Sequence, residues 1–388
     1  MRRVLMRLPA PVRVLLRRSL VVLLRVLGRL GVPRIARGKV AVRGDAVDPV
    51  LRVLGPSASC STWTHEEPAP SLDLAFQHGP DIRPRPQHTL TLVVDAHQPG
   101  YSFRNNVTLD DRRQVITEER IPWNELPVSF SLLESARPQP GTVAYLSNTN
   151  VGNFYHWITL TLPLLRLYRE ELELEPDAYY LGRPVTGWQR ETLAMLGIDE
   201  GRILSEGVAP HRLVAAIQNR RHGAVDTPSL RFVREQLAAP RFAAEQTRRL
   251  VVGRGAVAFR RFVNEQECVD YLVEQHGFEY VTMDGKTVAD EIELFSSAEA
   301  IVGVHGAALT NLLWAQPGCK VLELFPYGWN HPAYQELVAF VGCRYAYVVG
   351  SADAPRAAGL DQPAAVRREN DLLIDLAHLA AAADALRW

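Results

Sequence analysis

An α/β architecture, with two Rossmann-like domains facing a cleft and a C-terminal helix, is the fold this sequence predicts. Three observations carry that prediction. From Pro228 onward, short runs rich in Val, Ile and Leu alternate regularly with helical stretches. Strands separated by helices imply parallel βαβ units with both sheet faces covered. A shorter, less regular alternation of the same kind precedes residue 205. The chain has 388 residues, enough for two domains on a prior of about 150 residues each.

The chain opens with a basic segment, residues 1–44. It holds Arg2, Arg3, Arg7, Arg13, Arg17, Arg18, Arg25, Arg29, Arg34, Arg37, Lys39 and Arg43, with no Asp or Glu. The whole chain is neutral, so the remainder is acidic. A basic tail on an acidic body points to an anionic surface as partner. Val12–Leu30 places Arg among Leu and Val at near-helical spacing, and its longest uncharged run is Ser19–Leu24. That run is far short of the ~20 apolar residues a membrane span needs. Arg25 and Arg29 also break the apolar core a signal peptide would show. The expectation is an amphipathic helix whose residues 1–35 lie on an anionic membrane face, each Arg contributing about 1 kcal/mol. A loose basic tail without a partner is the alternative. No aromatic interleaving accompanies the charge, so nucleic acid is not an expected partner.

Residues 45–205 are read as an N-terminal α/β domain. Within it, 55–88 is rich in Pro, Ser and His and reads as loop. Thr89–Asp95 and Thr142–Ser147 read as strands, and a helix is predicted from Asn153 to about Glu170, kinked at Pro163. Residues 206–350 are read as a second Rossmann-like domain. Its strands are expected at Leu213–Gln218, Arg249–Val252, Phe278–Thr282, Ala300–Val304, Lys320–Leu324 and Tyr345–Val348. Its helices are expected at Ser229–Leu237, Glu265–His276, Val288–Ser297, Ala307–Trp314 and Pro332–Val341. Residues 351–388 are a linker and a final helix over Pro363–Leu386, starting at Asp361.

Cys60, Cys268, Cys319 and Cys343 form no CxxC pair and match no zinc spacing, so they read as small core residues. There is no Asp-x-Asp pair, and the side chains of adjacent Asp110 and Asp111 would diverge in a strand. No metal is therefore demanded.

Ligands of open α/β sheets bind outside the carboxyl ends of strands, and four segments stand at such ends. The first is Ile301–Asn311, where an apolar strand turns through His305-Gly306-Ala307-Ala308 straight into a helix. Small residues allow close approach to a ligand, and a helix N-terminus suits a diphosphate. A tight turn in which His305 merely packs is the other reading. The second is Arg254…Arg260-Arg261-Phe262-Val263-Asn264-Glu265, after the strand Arg249–Val252. Arg grips phosphate bidentately. Arg260 reads as a solvated bystander, and Asn264 can also cap the helix that follows.

The third is Asn148-Thr149-Asn150-Val151-Gly152-Asn153-Phe154-Tyr155-His156-Trp157, leading into a helix. A histidine in a first turn beside a polar loop can serve as a general base near neutral pH. The bland reading packs His156 between Phe154 and Trp157. The fourth is Glu323 inside the apolar run Val321–Pro326. A buried carboxylate needs partners; a ligand hydroxyl such as a ribose is one, an arginine the other.

Taken together, these segments resemble glycosyltransferase family 61, whose bacterial members are often labelled capsular polysaccharide biosynthesis proteins. The pieces are Gly152–Trp157, Arg254…Arg261…Asn264-Glu265, Glu291-Ile292-Glu293-Leu294-Phe295…Ala298, Val304–Asn311 and Glu323, spread over roughly residues 140–350. Ala308 stands where many relatives carry Gly. The resemblance implies a B-type glycosyltransferase fold, inversion at the anomeric carbon, no cofactor and no essential metal. It implies a nucleotide diphosphate sugar, commonly a UDP-sugar, as donor, and a glycan or lipid-linked acceptor. It places Arg254, Arg261, Asn264, His305, Gly306, Ala307, Asn311 and Glu323 on the donor, and Glu323 on its ribose. It places Asn150 and Asn153 on the acceptor side with His156 as base, for which Glu118 or Glu125 are alternatives. The expected setting is the cytoplasm, at the inner face of the cell membrane. A non-catalytic scaffold of the same fold is the main rival; an epimerase would need a GxGxxG fingerprint, which is missing.

Overall fold

A computed structural model describes residues 51–54, 90–97, 102–104, 107–109, 115–116, 136–147, 150–219, 227–243, 245–255, 261–327, 333–351 and 371–388. The basic segment 1–44, the loop 55–88 apart from its neighbours, Cys60, Asp110, Asp111, Glu118, Glu125, Asn148, Thr149 and Arg260 lie outside these residues.

The first sheet contains β1 (Leu51–Leu54), β2 (Leu90–Ala96), β3 (Ser102–Arg104), β4 (Val107–Leu109), β5 (Val115–Ile116), β6 (Arg137–Tyr145), β7 (Ala178–Tyr180), β8 (Ile203–Leu204) and β9 (Val208–Asn219). Its main path is β5-β4-β3-β9-β6-β7-β8, and β2 joins β9 to β1. Strands β9, β6, β7 and β8 run parallel to one another. Strands β2 and β3 pair antiparallel with β9. The first sheet is thus mixed, where the sequence pattern predicts parallel βαβ units alone. The strand expected to open the second domain, Leu213–Gln218, is part of β9 and lies at the centre of the first sheet. The change of sheet falls beyond Asn219.

The second sheet is entirely parallel and close to its sequence expectation. It consists of β10 (Arg248–Val252), β11 (Glu279–Val281), β12 (Ala298–Val304), β13 (Lys320–Phe325) and β14 (Arg344–Val349), in the order β11-β10-β12-β13-β14. The chain steps outward from β10 to β11, then crosses back over β10 to β12 and continues the other way. Such a reversal is the switch point at which doubly wound sheets bind ligands. Here it lies between the carboxyl ends of β10 and β12.

Alternation along these strands covers both faces. Val251, Val302, Val304, Leu322 and Leu324 face Cys268 and Leu272 of α3 (Glu265–His276) and Leu379 and Ala382 of α6 (Leu376–Leu386). Leu250, Ile301, Val321 and Phe325 point the other way. They meet α4 (Val288–Ser296), the 3-10 helix Ala307–Trp314 and α5 (Ala333–Val341). This second face does not end at the sheet. One apolar cluster runs on through Trp157, Ile158, Leu162 and Tyr168 to Ala144, Leu146, Val214 and Ala216 of the first sheet.

The element between the two sheets is the helical stretch that begins at Phe154. It alternates α turns (Phe154–His156, Leu164–Arg166) with π turns (Trp157–Thr161, Leu167–Glu171), with Pro163 at the N-cap of the second α turn. Proline lacks the amide a regular ladder would use, so the predicted kink at Pro163 coincides with a change of helical register. Polar links tie the sheets further. Arg166 Nε donates to Ser229 Oγ (3.1 Å) of α2 (Thr227–Leu237). Glu191, on α1 (Gly187–Met195), accepts from the amides of Val288 (2.8 Å) and Ala289 (2.9 Å) at the start of α4. An acid there satisfies orphan amides and complements the helix dipole.

The last helix begins later than Asp361–Pro363. Asp375 caps α6, accepting from Ala377 N at 2.8 Å. The preceding residues are extended, and Leu372 bridges to Phe262. Alanine and leucine set helix propensity over the whole tract, but the backbone partners of Leu372 and Ile374 lie elsewhere and hold those residues out of the helix. Among the described residues, no helix is long and apolar enough to cross a membrane.

The Glu191 cap joins the two halves of the chain, so its loss should be felt globally. Glu191→Ala is expected to lower unfolding free energy by about 1–2 kcal/mol in a urea titration. A change within about 0.3 kcal/mol would mean the two amides find water equally well.

Candidate functional site

The site is built where β12 and β13 end. Glu323 sits on β13 between Val321 and Phe325, on the face that points into the shared core, and has no solvent exposure. Its Oε1 lies 2.5 Å from His305 Nδ1, and its Oε2 accepts a 2.7 Å hydrogen bond from Tyr345 on β14. Burial first, and the Glu323 carboxyl next, push the Tyr345 hydroxyl well above its ordinary range, so it remains a donor. The His305 ring is stacked on Phe325 (5.0 Å, 27°) and edge-on to Tyr334 of α5 (5.0 Å, 60°). The Glu323 bond and the two rings hold the imidazole in place. A carboxyl bonded to one ring nitrogen sets which nitrogen faces a ligand.

The partners that the sequence left open for Glu323 are here side chains of the protein. Both its oxygens are used inside the protein, by His305 and Tyr345, and neither a ribose nor an arginine is needed to satisfy it. Glu323 positions His305 instead. Asn311 is likewise engaged within the protein. It is fully buried; its Oδ1 accepts from Trp314 Nε1 (2.9 Å), and its amide faces Met283 Sδ and Glu291. It organises the underside of the turn.

The turn itself is compact for identifiable reasons. A methyl group at Gly303 would come 2.6 Å from Leu309 Cδ2, so β12 needs glycine there for the 3-10 helix to fold back. Gly306 is extended (φ 174°), a conformation open to any residue. A methyl at Gly306 would lie 3.6 Å from Arg254 Cζ, an ordinary contact. That distance is informative for another reason. It places the Arg254 guanidinium, from the end of β10, directly beside the His305-Gly306 turn at the end of β12. Ala307, half-buried, starts the 3-10 helix.

Arg261 and Asn264 are turned toward the C-terminal segment. Arg261 binds Asp371 through its backbone amide (2.9 Å) and its guanidinium (2.6 and 3.1 Å). Asn264 stands at the N-cap of α3 without capping it. Its amide donates to Ile374 O (2.8 Å) and to Glu267 (3.1 Å), and its Oδ1 accepts from Ile374 N (3.0 Å). Of the two arginines expected on a diphosphate, the structure brings only Arg254 to the His305 turn; Asn264 is a peg for the final segment.

The third motif lies nearby, across aromatic rings. Asn153 is the N-cap of the Phe154 helix, accepting from His156 N at 3.4 Å, and its own amide donates to Asn150 O at 2.8 Å. His156 is half-buried and edge-on to Tyr155 (5.5 Å). Tyr155 is edge-on to Tyr334 (5.6 Å), which in turn touches His305. Two tyrosine rings thus separate the two motif histidines. Trp157 is fully buried, donating to Thr192 Oγ1 (2.9 Å). His156 does not pack between Phe154 and Trp157: Phe154 packs on Trp188.

Tyr334, Tyr345 and Phe325 were not singled out by sequence. The buried Glu323 announced a need for donors, but only strand register reveals that Tyr345 meets it. Cys268 and Cys319 are buried and Cys343 half-buried, all free. Among the described residues, no group of three or more His, Cys, Asp or Glu could hold a metal ion.

These features define an α/β protein whose candidate site lies at the switch point of a parallel sheet. Residues 154–322 match the family model of glycosyltransferase 61. Curated relatives include the protein O-linked-mannose beta-1,4-N-acetylglucosaminyltransferase 2 of Canis lupus familiaris, 30% identical over 123 residues, covering 30% of this chain and 21% of the relative. The Homo sapiens counterpart is 34% identical over 94 residues, covering 23% and 16%. The chain spans about a fifth of the length of such relatives. Among solved structures, a flavo di-iron protein mutant from Thermotoga maritima has 11% identity and a TM-score of 0.25 over 76% of this chain and 64% of that one, too slight a likeness to carry an argument.

Beneath the turn, Glu291 on α4 is buried against Asn311. Desolvation, opposed by the Asn311 bond and reinforced by Glu191, pushes its carboxyl up to about 7. A carboxyl raised on folding stabilises most when protonated in the fold. That contribution is full below the unfolded value near 4.5 and is lost as pH rises through about 7. Melting temperature should fall over that window, and Glu291→Gln should flatten the fall and raise the melting point at pH 8 by roughly 3 °C. Parallel pH profiles for both proteins would remove Glu291 as the cause.

Proposed function

We propose that this chain is an inverting, metal-independent glycosyltransferase that takes its sugar from a nucleotide diphosphate donor, commonly a UDP-sugar. The observation that carries this reading is Arg254 beside the His305-Gly306 turn at the switch point of the second sheet. A guanidinium, an imidazole with its Nδ1 engaged by Glu323, and backbone amides opening the 3-10 helix converge there. That set suits a diphosphate. The match of residues 154–322 to the glycosyltransferase 61 family model supports the same class of reaction.

In this reading the second sheet and its helices form the donor half of a B-type arrangement of two Rossmann-like domains. The parallel part of the first sheet, with Asn150, Asn153 and His156 at its carboxyl end, forms the acceptor half. The acceptor hydroxyl, on a glycan or lipid-linked sugar, attacks the anomeric carbon from the face opposite the diphosphate. The new C–O bond forms as the bond to the diphosphate oxygen breaks, and His156 takes the hydroxyl proton. Arg254 and His305 meet the charge that collects on the leaving group, the usual means of lowering such a barrier. The product belongs to a surface or capsular polysaccharide. Residues 1–35 hold the enzyme at the anionic inner face of the cell membrane, on the cytoplasmic side.

Donor binding and chemistry separate by mutation. Arg254→Ala should weaken UDP binding in calorimetry at least about tenfold, the loss of one charged phosphate contact. His156→Ala should leave UDP affinity within about twofold while lowering turnover about 100-fold or more. Unchanged UDP affinity in the first variant, or near-normal turnover in the second, would sink the corresponding role. UDP binding without any transfer or hydrolysis would make the chain a binding protein instead.

The membrane contact is tested by removing residues 1–35 and pelleting the protein with phosphatidylglycerol vesicles. Sedimentation should fall to the level seen with neutral vesicles, because the Arg-rich segment supplies the attraction. Equal pelleting of both proteins would end that part of the reading.

A further inference from the structure

The acceptor half contains an arginine, Arg183, whose charge is not answered among the described residues. Arg183 follows β7 in the segment Leu181-Gly182-Arg183, at the carboxyl end of that parallel strand. This segment and the chain leaving β6 are stitched together: Leu146 N donates to Tyr180 O (2.9 Å) and Ser147 Oγ to Leu181 O (2.7 Å). The motif loop then brings Gly152 against the Arg183 side chain. A methyl group at Gly152 would lie 1.8 Å from Arg183 Nη1 and 2.7 Å from its Cζ. The guanidinium therefore rests on the bare backbone of Gly152, in the turn that Asn153 and His156 share. Gln189 Nε2, buried, fixes the same turn by donating to Val151 O (2.8 Å).

Arg183 is half-buried, and among the described residues it has neither a hydrogen bond nor an ion pair. Other arginines of the first half are answered: Arg137 by Glu206, Arg166 by Glu171, Arg190 by Glu200, Arg212 by Asp95. Arg231, Arg344 and Arg387 also lack such partners, but they are exposed, where water serves a guanidinium well. A partly desolvated charge without a partner is unfavourable. A guanidinium laid against a glycine backbone at the ligand end of a sheet is well suited to a planar or tetrahedral oxyanion.

We propose that Arg183 is the acceptor-recognition residue of this chain, and that the acceptor carries an oxyanion, a carboxylate or a phosphate, near the hydroxyl that reacts. The placing of the acceptor on this side rests on the proposed function; the anion preference of Arg183 does not. Gly152 has a defined part in it, because any side chain there would push the guanidinium out of its seat.

The test uses the full chain and three small probes, glucuronic acid, a glucose monophosphate and glucose, with affinities read by saturation-transfer NMR. The wild type should bind the charged probes at least about tenfold tighter than glucose, the gain of one charge-assisted contact. Which of the two charged probes binds better distinguishes a carboxylate-bearing from a phosphate-bearing acceptor. Arg183→Ala should erase the preference and leave glucose binding as it was. Gly152→Ala should erase it too, with the arginine still present, and Arg183→Lys should restore part of it. UDP affinity should stay within about twofold throughout, since the donor lies at the other sheet. A wild type with no charge preference, or an Arg183→Ala protein that keeps it, overturns the proposal. So does a parallel loss of UDP binding, which would assign Arg183 to the donor. If the wild type binds no UDP yet shows an Arg183-dependent preference, the donor reading fails and the oxyanion site stands.

Discussion

The bonds around the Glu323 carboxyl hold the candidate site together. A carboxyl with no exposure must be given donors by the fold, and β14 and the turn after β12 supply one each, Tyr345 and His305. That requirement couples three neighbouring strands to a single side-chain orientation. Strand order then does the rest. Because β12 lies between β10 and β13, His305 meets Glu323 on one side while the adjacent Gly306 lies beside Arg254 on the other. Removing the carboxyl would leave a buried tyrosine hydroxyl and an imidazole without their acceptor, and unmade bonds of that kind cost more than made ones contribute.

The same turn has an apolar underside that is no less determining. Gly303 lets Leu309 fold back onto β12, Asn311 holds the Trp314 indole, and Trp314 lies in the cluster that extends to Trp157 and Tyr168. The two motif histidines are therefore placed by one packed body of side chains, through Tyr155 and Tyr334, and not by two separate cores. A large apolar interface of this kind argues against free relative motion of the two halves. Access to the site then depends on the loops at the carboxyl ends of the strands.

Sequence periodicity was a good guide wherever strands are buried on both faces. The second sheet reads almost residue by residue, because runs such as Ile301–Val304 and Val321–Leu324 have no other stable use. The first sheet reads less well. Its β9 pairs parallel with β6 and antiparallel with β2, and nothing in an apolar run states its direction. The site shows a similar division. His305, Arg254 and the His156 helix were legible as polar or small residues at strand ends. Asn264, Asn311 and Glu323 carry the same signature, yet each is satisfied inside the protein. Their partners lie far along the chain, Ile374 being 110 residues from Asn264. A one-dimensional pattern reports that a polar group needs a partner; it does not say whether the partner is a ligand or a distant strand.

The pairing of Arg261 and Asn264 with Asp371 and Ile374 gives the segment before α6 an unexpected standing. Residues 371–374 lie along the loop that follows β10, bonded to it through backbone as well as side chains. Residues 371–374 thus act as a splint for the segment Arg261–Asn264 that leads into α3. That splint comes from more than a hundred residues further along the chain, so the entry to α3 takes its final form only once residues 371–374 have been made and have docked.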